Sequence, residues 1–215
     1  MNEKKSSMIK DAVILCLITL ILGAVLAGVY AITKEPIDAA QEKTNNEACQ
    51  AVVSEGDSVQ DNDEKAVKEA LDYIAVHDLS NAESKDGDLL ADYLVIEQIH
   101  PTQNGGKVYL ASASKGYGGA IGFALGVDAD GAITGISITS QAETAGLGAN
   151  CENEDWQKGF AGKVAPENAS SEMYNKNEST ESQVQALSGA TVTSRAITRA
   201  VKGILFYDGS VRGAN

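Results

Sequence analysis

The amino-acid sequence predicts an α+β fold: an antiparallel β-sheet with packed helices, preceded by one N-terminal transmembrane helix. Residues 12–32 carry no charge and are mostly Leu, Ile, Val and Ala, which at about 1.5 Å per residue is enough to cross a bilayer. Four later runs rich in Ile, Val and Tyr are separated by glycine-containing turns, which is typical of antiparallel strands. The end of the chain has apolar residues at helical spacing.

The charges around the apolar span predict its orientation. The flanking lysines are Lys4, Lys5 and Lys10 before it and Lys34 after it. Because basic residues accumulate on the cytoplasmic side, we expect residues 1–11 in the cytoplasm and the C-terminal domain outside the cell membrane. A cleaved signal peptide is the alternative, since Val25-Leu26-Ala27 resembles a cleavage site, but the apolar run exceeds the usual about 7–15 residues. The sequence therefore predicts a single-pass helix in contact with the lipid bilayer.

Residues 33–62 are interpreted as a stalk helix and a loop. Pro36 suits the first turn of a new helix, because the N–H that proline lacks would be unpaired there, and the polar stretch up to about Val53 would continue it. The extracytoplasmic domain is expected over residues 63–215. It would begin with a helix over residues 64–75, followed by a polar loop over residues 81–88.

The sheet is predicted from four strands, over residues 93–99, 107–114, 120–127 and 132–139. The segments Asn104-Gly105-Gly106 and Asp128-Ala129-Asp130-Gly131 lie between strands and contain glycines suited to positive φ, so both indicate hairpin turns. A cluster of glycines falls in or beside the third strand, which predicts a bulge or a close backbone approach. Its members are Gly118, Gly119, Gly122 and Gly126. After the sheet, Trp156 and Phe160 have the spacing of a short helix.

A hydroxyl-rich turn precedes the last predicted helix. It reads Ser188-Gly189-Ala190-Thr191-Val192-Thr193-Ser194. Unpaired N–H groups in the first helical turn and the positive end of the helix dipole stabilise an anion, so this turn predicts a phosphate site. Ordinary helix capping is the alternative, since Ser and Thr are preferred N-caps. The apolar face of the helix is Ala196, Ile197, Ala200, Val201, Ile204 and Leu205, and the other face carries Arg195, Thr198, Arg199 and Lys202.

Composition disfavours several kinds of function. Residues 36–215 contain 13 Lys and Arg against 27 Asp and Glu, so no nucleic-acid partner is expected. The cysteines (Cys16, Cys49, Cys151) form no C-x-x-C pair and the histidines (His77, His100) lie apart, so no metal or iron–sulfur site is expected. Whether Cys49 and Cys151 form a disulfide stays open. The glycines at 116–119 complete neither a G-x-G-x-x-G fingerprint nor a P-loop, which disfavours a Rossmann unit.

The hydroxyl motif closely resembles the flavinylation motif of the FMN-binding subunits of Rnf-type and Na⁺-translocating quinone reductase complexes. In that family the last threonine of Ser-Gly-Ala-Thr-x-Thr carries FMN through a phosphoester, and Thr193 holds that position. The segment from Ser140 to Ala149 resembles the family's Glu-Thr-Pro-Gly-Leu-Gly, with Ala145 where many relatives have proline. Two further segments are similar and occur in family order: Lys115-Gly116-Tyr117-Gly118-Gly119 and Phe160-Ala161-Gly162-Lys163.

The resemblance implies an FMN-binding domain with covalent FMN on Thr193, at residues of the hydroxyl motif and of the preceding loop. Glu143 and Thr144 would hydrogen-bond the edge of the isoalloxazine ring, and Leu147 would cover a ring face. Gly146 and Gly148 would let backbone N–H groups approach, and Lys163 would meet a phosphate or ring oxygen. The expected binding residues are Ser188, Gly189, Ala190, Thr191, Val192, Thr193, Glu143, Thr144, Gly146, Leu147, Gly148 and Lys163. The ordinary alternatives are a surface carboxylate for Glu143, tight turns for the two glycines and a solvated Lys163.

The same resemblance implies an electron-transfer subunit of the G type in an Rnf ion-translocating ferredoxin:NAD⁺ oxidoreductase. It needs no catalytic residue of its own, because the flavin performs the redox chemistry. Its implied partners are the other membrane and peripheral subunits of the complex and a flavin transferase that attaches the FMN. Two alternatives stay open: the C-type component of the sodium-pumping quinone reductase, and an unmodified membrane-tethered binding module of the same fold.

Overall fold

The computed structural model of the chain describes residues 2–76, 92–167, 171–180 and 182–213, with side chains from residue 10 onward. It contains two compact units, Met1–Thr44 and Asn45–Asn215. The predicted loop over residues 81–88 lies outside the described residues. The helices are α1 (Asn2–Ala51), α2 (Glu64–Val76), α3 (Glu154–Lys158) and α4 (Thr191–Gly213), and a 3-10 helix covers Gly148–Glu152. The strands are β1 (Leu94–Pro101), β2 (Lys107–Ala113), β3 (Ile121–Val127), β4 (Ile133–Ser140), β5 (Tyr174–Asn175) and β6 (Val184–Gln185).

Helix α1 makes up the N-terminal unit and is long and apolar enough to cross a membrane, by length and composition. Its large apolar side chains between residues 13 and 32 are 49% to 78% exposed. Exposed side chains of this kind are suited to contact with lipid, since there is no protein core around them.

The expectation that a new helix starts at Pro36 is wrong, because α1 runs through Pro36 without a break. Proline removes one backbone donor and crowds the preceding turn, which costs a helix about 3 kcal/mol. The neighbouring turns contain Lys34, Glu35, Ala39 and Ala40, all good helix formers, and the helix continues to Ala51.

The last turn of α1 belongs to the second unit, not to a separate stalk. Ala48, Cys49 and Val52 are buried together with Val108 and Leu110 of β2. The chain reaches this surface because β3 and β4 carry the paired glycines Gly126 and Gly135, beside which Val52 lies. A Cβ atom at Gly135 would already touch the Cα of Val52 at 3.4 Å. The glycine at position 126 therefore permits a close backbone approach, as the sequence predicted.

The four-stranded sheet has the order β1-β2-β3-β4, with every neighbouring pair antiparallel. All four predicted strands are confirmed to within two residues, and so is helix α2. The two hairpin turns contain Gly105 at φ +87° and Gly131 at φ +92°, a region that side chains other than glycine rarely adopt. The register of β3 against β4 shifts beside Gly122 and beside Gly126, so the predicted irregularity of this strand is also confirmed.

Helix α4 crosses the other face of the sheet, where it contacts β1, β2 and β3 and also helix α2. Its predicted apolar face is buried: Ala196, Ile197, Ala200, Val201, Ile204 and Leu205 are all 0% or 1% exposed. Its polar face is buried as well, which the sequence did not indicate. Arg199 and Lys202 are 7% and 3% exposed because the segment around residues 171–180 covers them.

The buried cations of α4 fasten that covering segment to the domain. Arg199 donates to Glu172 at 2.7 Å and to the Tyr93 hydroxyl at 3.0 Å. Lys202 donates to the carbonyl oxygen of Ser171 at 3.0 Å. Burial lowers the pKa of Lys202; it would also lower that of Arg199, but the hydrogen bond and the charge of Glu172 outweigh burial there and raise the Arg199 pKa.

Candidate functional site

A cavity of about 440 Å³ lies where the loop after β4 meets the start of α4. Its size falls within the roughly 300–1,000 Å³ of most small-molecule sites. The lining residues are Tyr117, Glu143, Thr144, Leu147, Gly148, Gly189, Ala190, Thr191, Val192 and Thr193. Two segments separated by about forty residues of sequence, each selected for its motif, therefore line the same space.

The hydroxyl motif contains the beginning of α4 and does not precede the helix as predicted. The turn is confined to Ser188 and Gly189, and the helix begins at Thr191. Gly189 has φ +72°, so the turn requires a residue without a side chain there. Because Ala190 precedes the first helical residue, no Ser or Thr side chain occupies the N-cap position. The first-turn N–H groups of Thr191, Val192 and Thr193 consequently lie at the cavity, where they can stabilise an anion.

One hydroxyl of the motif has a structural task. Ser194 accepts a hydrogen bond from the backbone N–H of Leu187 at 2.9 Å and donates to the carbonyl oxygen of Ala190 at 3.0 Å. These two bonds tie the entering chain to the first turn of α4. They fix the backbone on either side of the cavity wall and leave Thr193, the preceding residue, with a different partner.

The Thr193 hydroxyl donates a short hydrogen bond to Oε2 of Glu143. Both side chains are buried, at 1% exposed for Thr193 and 9% for Glu143. A buried carboxylate costs free energy unless it is hydrogen-bonded, and the second oxygen of Glu143 accepts the backbone N–H of Gly118 at 2.8 Å. The two residues are fifty positions apart in the sequence and share one hydrogen bond at the cavity wall.

Glycines surround this pair closely. A Cβ atom at Gly148 would lie 2.6 Å from the Thr193 hydroxyl oxygen and within contact of the Glu143 carboxylate. A Cβ at Gly116 would lie 2.8 Å from Oε1 of the same carboxylate. The carboxylate is held further by the loop itself, because the backbone N–H of Glu143 donates to the Gln141 side chain at 2.6 Å. The Gly-Tyr-Gly-Gly segment and the Gly146-Leu147-Gly148 segment therefore enclose one carboxylate.

Three of the expected binding residues do not line the cavity: Ser188, Gly146 and Lys163. Lys163 is buried and donates its ammonium hydrogen bond to the carbonyl oxygen of Thr180 at 2.6 Å. Burial lowers the pKa of Lys163. Gly146 has φ +75°, which gives it the tight-turn role that we considered as its alternative.

Tyr117 is a cavity residue that the sequence reasoning did not select. It is 74% exposed, and the apolar side chains of Leu147 and Val192, which also line the cavity, are 44% and 46% exposed. Three exposed apolar side chains at one cavity form a surface suited to a planar aromatic ligand. The signal that would have found Tyr117 was its position between two glycines of a family-like segment.

The cysteines are unpaired in the described part of the chain, with Cys49 and Cys151 buried and Cys16 exposed. Burial raises the pKa of Cys49 to about 11 and, with a smaller contribution from nearby Glu152, that of Cys151 to about 12. Such thiols are poor nucleophiles. Among the described residues, no group of three or more His, Cys, Asp or Glu side chains could hold a metal ion.

Comparison with known proteins matches both parts of the chain. A model of the FMN-binding domain matches residues 116–205, which include both cavity segments, and a model of the RnfG N-terminal region matches residues 1–52. Over 193 residues the chain is 30% identical to the G-type component of the proton-translocating ferredoxin:NAD⁺ oxidoreductase complex of Clostridium ljungdahlii, covering 90% of this chain and 85% of that one. The chain belongs to the Rnf G-subunit family. This membership confirms the expected family and the FMN-binding domain fold.

Other members of the Rnf G-subunit family match over a shorter stretch. The corresponding component of the Na⁺-translocating ferredoxin:NAD⁺ oxidoreductase complex of Acetobacterium woodii is 39% identical over 41% of this chain and 42% of its own length. The chain thus spans about half the length of several relatives that it matches. Two solved structures are also similar: NqrC, the C-type component of the Na⁺-translocating NADH-quinone reductase, from Parabacteroides distasonis and from Shewanella oneidensis. The TM-scores are 0.40 and 0.44, the identities 20% and 22%, covering 52% and 55% of this chain and 61% and 62% of those chains.

Proposed function

We propose that this chain is the electron-transfer subunit of an Rnf-type ion-translocating oxidoreductase and carries FMN in a phosphoester bond to Thr193. The observation that carries the proposal is the single cavity lined by both family motifs, with the Thr193 hydroxyl in its wall. Membership in the Rnf G-subunit family supports the assignment to this type of complex over the quinone reductase alternative.

The residues at the cavity fit an FMN group. The N–H groups of the first turn of α4 suit a phosphate, and they lie beside the hydroxyl that would carry it. Tyr117, Leu147 and Val192 offer apolar surface for a ring system, while Glu143 and Thr144 offer polar atoms at its edge. When bound, a flavin supplies one- and two-electron redox chemistry.

The tasks of this chain are then to hold the group and to keep it near its electron partners. A covalent bond keeps the local concentration of the group high whatever the concentration of free flavin. We propose that the N-terminus is cytoplasmic, that α1 crosses the cell membrane once, and that residues 45–215 lie outside. On this topology a separate flavin transferase loads the chain from FAD, and the other membrane and peripheral subunits exchange electrons with it. Ion transport belongs to those subunits, because residues 12–32 carry no charge.

The test is flavin fluorescence on a denaturing gel after co-expression of the full chain with a flavin transferase. The wild-type chain should show a fluorescent band, and Thr193→Ala should abolish it. Thr191→Ala is the matched control, because Thr191 lies in the same motif and lines the same cavity. This variant should keep its band.

Mass spectrometry completes the test on the tryptic peptide of residues 177–195, the sequence NESTESQVQALSGATVTSR. Its mass should rise by that of FMN less one water, with fragmentation placing the addition at Thr193. A dark wild-type band, or an unchanged peptide after co-expression, would support the alternative of an unmodified binding module and end the present proposal.

A further inference from the structure

We infer that Glu143 is a catalytic residue for the flavinylation of this chain: its carboxylate takes the proton from the Thr193 hydroxyl as that oxygen attacks phosphorus. The inference rests on the proposed function and adds an active part to a chain that otherwise serves only as the acceptor. It starts from the hydrogen bond between the Thr193 hydroxyl and Oε2 of Glu143.

The need for a proton acceptor follows from the chemistry of the nucleophile. A threonine hydroxyl is a weak nucleophile while it keeps its proton, and a general base within hydrogen-bond reach activates it. Protein kinases solve the same problem with an Asp carboxylate that accepts the proton of the substrate hydroxyl. Here Glu143 already accepts that hydrogen bond in the protein by itself.

The surroundings aim the carboxylate at the hydroxyl. The N–H of Gly118 occupies Oε1, so Oε2 is the oxygen turned to Thr193. Gly116 and Gly148 pack so closely that a Cβ at either position would collide with the carboxylate. The carboxylate is thus confined from two sides, and the first turn of α4 presents the hydroxyl at the cavity.

The step balances without any redox change. The Thr193 oxygen forms a bond to the phosphorus that bears the riboflavin of FAD, and the bond from this phosphorus to the bridging oxygen of the pyrophosphate breaks. Adenosine monophosphate leaves with that oxygen. The hydroxyl proton passes to Glu143 and from there to water. The co-reactant is FAD, delivered by the flavin transferase.

An ordinary structural role is the competing explanation, in which the same bond merely joins the loop to α4. It makes a different prediction. Loss of a loop contact would lower stability and leave the rate constant at saturating FAD largely intact, whereas loss of a base lowers that rate constant about 10²- to 10⁴-fold. The experiment must therefore separate binding, folding and the chemical step.

The experiment follows two products from the full chain, incubated with FAD and a purified flavin transferase: fluorescent protein on a denaturing gel and released adenosine monophosphate. Glu143→Gln keeps the shape and the hydrogen-bond acceptor but not the base. We expect its maximal rate constant to fall at least a hundredfold. Glu97→Gln is the matched control, since Glu97 is an exposed carboxylate on β1, and its rate should match the wild type.

Two further measurements address the base directly. Glu143→Ala leaves a space beside the hydroxyl, and added formate should restore part of its rate by supplying a carboxylate there. Glu143→Asp withdraws the carboxylate by one methylene, about 1.5 Å, and should be at least tenfold slower than the wild type. This conservative variant decides the question if Glu143→Gln does not fold, which a urea unfolding curve establishes.

The outcomes separate this inference from the proposed function. Labelling of wild type at Thr193, with Glu143→Gln or Glu143→Asp within threefold of it, overturns the role of Glu143 and leaves the proposed function intact. A rise in the KM for FAD with an unchanged maximal rate constant also overturns it, because the residue would then only assist binding. A wild-type chain that is not labelled, or is labelled elsewhere, overturns both.

Discussion

Helix α4 carries a buried carboxylate cluster near each end, and the two clusters differ in what surrounds them. Near its N-terminus, Thr193 meets Glu143 at a cavity. About 22 Å along the axis, Asp208 accepts hydrogen bonds from the Lys107 ammonium at 2.9 Å and the Tyr109 hydroxyl at 2.6 Å, and pairs with Arg212. Asp208 is buried among two cations, whereas Glu143 receives two neutral donors.

The difference shows how one helix separates stability from chemistry. At Asp208 each donor compensates the cost of burying the charge, and the carboxylate is closed off by β2 and the end of α4. At Glu143 the weaker set of donors leaves a carboxylate whose hydrogen-bond partner lies in a cavity wall. The first arrangement is suited to holding the helix on the sheet, and the second to a reaction at the Thr193 oxygen.

The largest expected effect of breaking this comparison is on stability, at Asp208. Asp208→Ala leaves the Lys107 and Arg212 charges without their partner and the buried Tyr109 hydroxyl without its acceptor, so the free energy of unfolding should fall by about 3 kcal/mol. Urea denaturation of the full chain in detergent, followed by circular dichroism, measures it. The folded fraction should still be flavinylated at the wild-type rate.

The control for Asp208 is Asp72→Ala, because Asp72 is an exposed carboxylate on α2. Its effect should stay within about 0.5 kcal/mol. If Asp208→Ala lost flavin attachment in its folded fraction, the proposed division of tasks along α4 would be wrong.

A smaller effect on stability but a larger one on attachment is expected from Gly148→Ala. The new methyl group would collide with the Thr193 hydroxyl and the Glu143 carboxylate, and such overpacking costs about 1–3 kcal/mol. Because the same collision separates the hydroxyl from its base, the rate of flavin attachment should fall at least tenfold. Gel fluorescence over time measures the rate, and urea denaturation the stability.

Gly209→Ala provides the matched glycine control. A Cβ atom at this position of α4 would meet nothing within 4 Å. Alanine in a helix is favoured over glycine by about 0.5–1 kcal/mol, so this variant should be equal to or more stable than the wild type and normally flavinylated. Equal rates for the two alanine variants would contradict the packing argument at Gly148.

The smallest expected effect is a pH dependence near Asp208. Burial, aided by the charges of Glu69 and Asp208, raises the pKa of Tyr207 to about 12, while in the unfolded chain this phenol ionises near its ordinary value of about 10. The raised pKa contributes stability that is fully present below pH 10 and is lost as the pH rises towards 12, since only the unfolded state then releases the proton.

Tyr207→Phe isolates that contribution. The free energy of unfolding of the wild type should fall more steeply between pH 10 and 12 than that of the variant, by at most one proton's worth of slope. The lysines with lowered pKa, Lys163 and Lys202, are common to both proteins and cancel in the difference. Parallel curves over this range would show that Tyr207 does not titrate as described. Flavin attachment at neutral pH should be the same in both.

Much of the fold could be predicted because the signals are local. The strands alternate or run in β-branched and aromatic residues, and Gly105 and Gly131 occur where positive φ is required. Helix α2 and the buried face of α4 follow from helical spacing alone. The motif around Thr193 and the loop at Glu143 were also recognised from sequence, including nine of the ten residues that line the cavity.

The errors concern contacts with distant parts of the chain. The continuity of α1 through Pro36 depends on the helix propensity of whole turns, which outweighs the local effect of one proline. The polar face of α4 was expected at the surface, yet Glu172 and Ser171 come from another segment to cover Arg199 and Lys202. Lys163 was expected near a phosphate, but its ammonium group bonds the Thr180 carbonyl oxygen. No spacing rule reports which segments will cover a given face.

The sequence alone determined the apolar span, the strand–turn pattern and the identity of the two motifs, because each depends on residues close together in the chain. Only the tertiary structure decided that Glu143 holds the Thr193 hydroxyl, that Tyr117 joins the same cavity, and that Gly116 and Gly148 must be glycine. The reason is physical: local sequence restricts φ, ψ and burial, whereas a hydrogen bond across fifty residues exists only after the sheet and α4 have brought its two ends together.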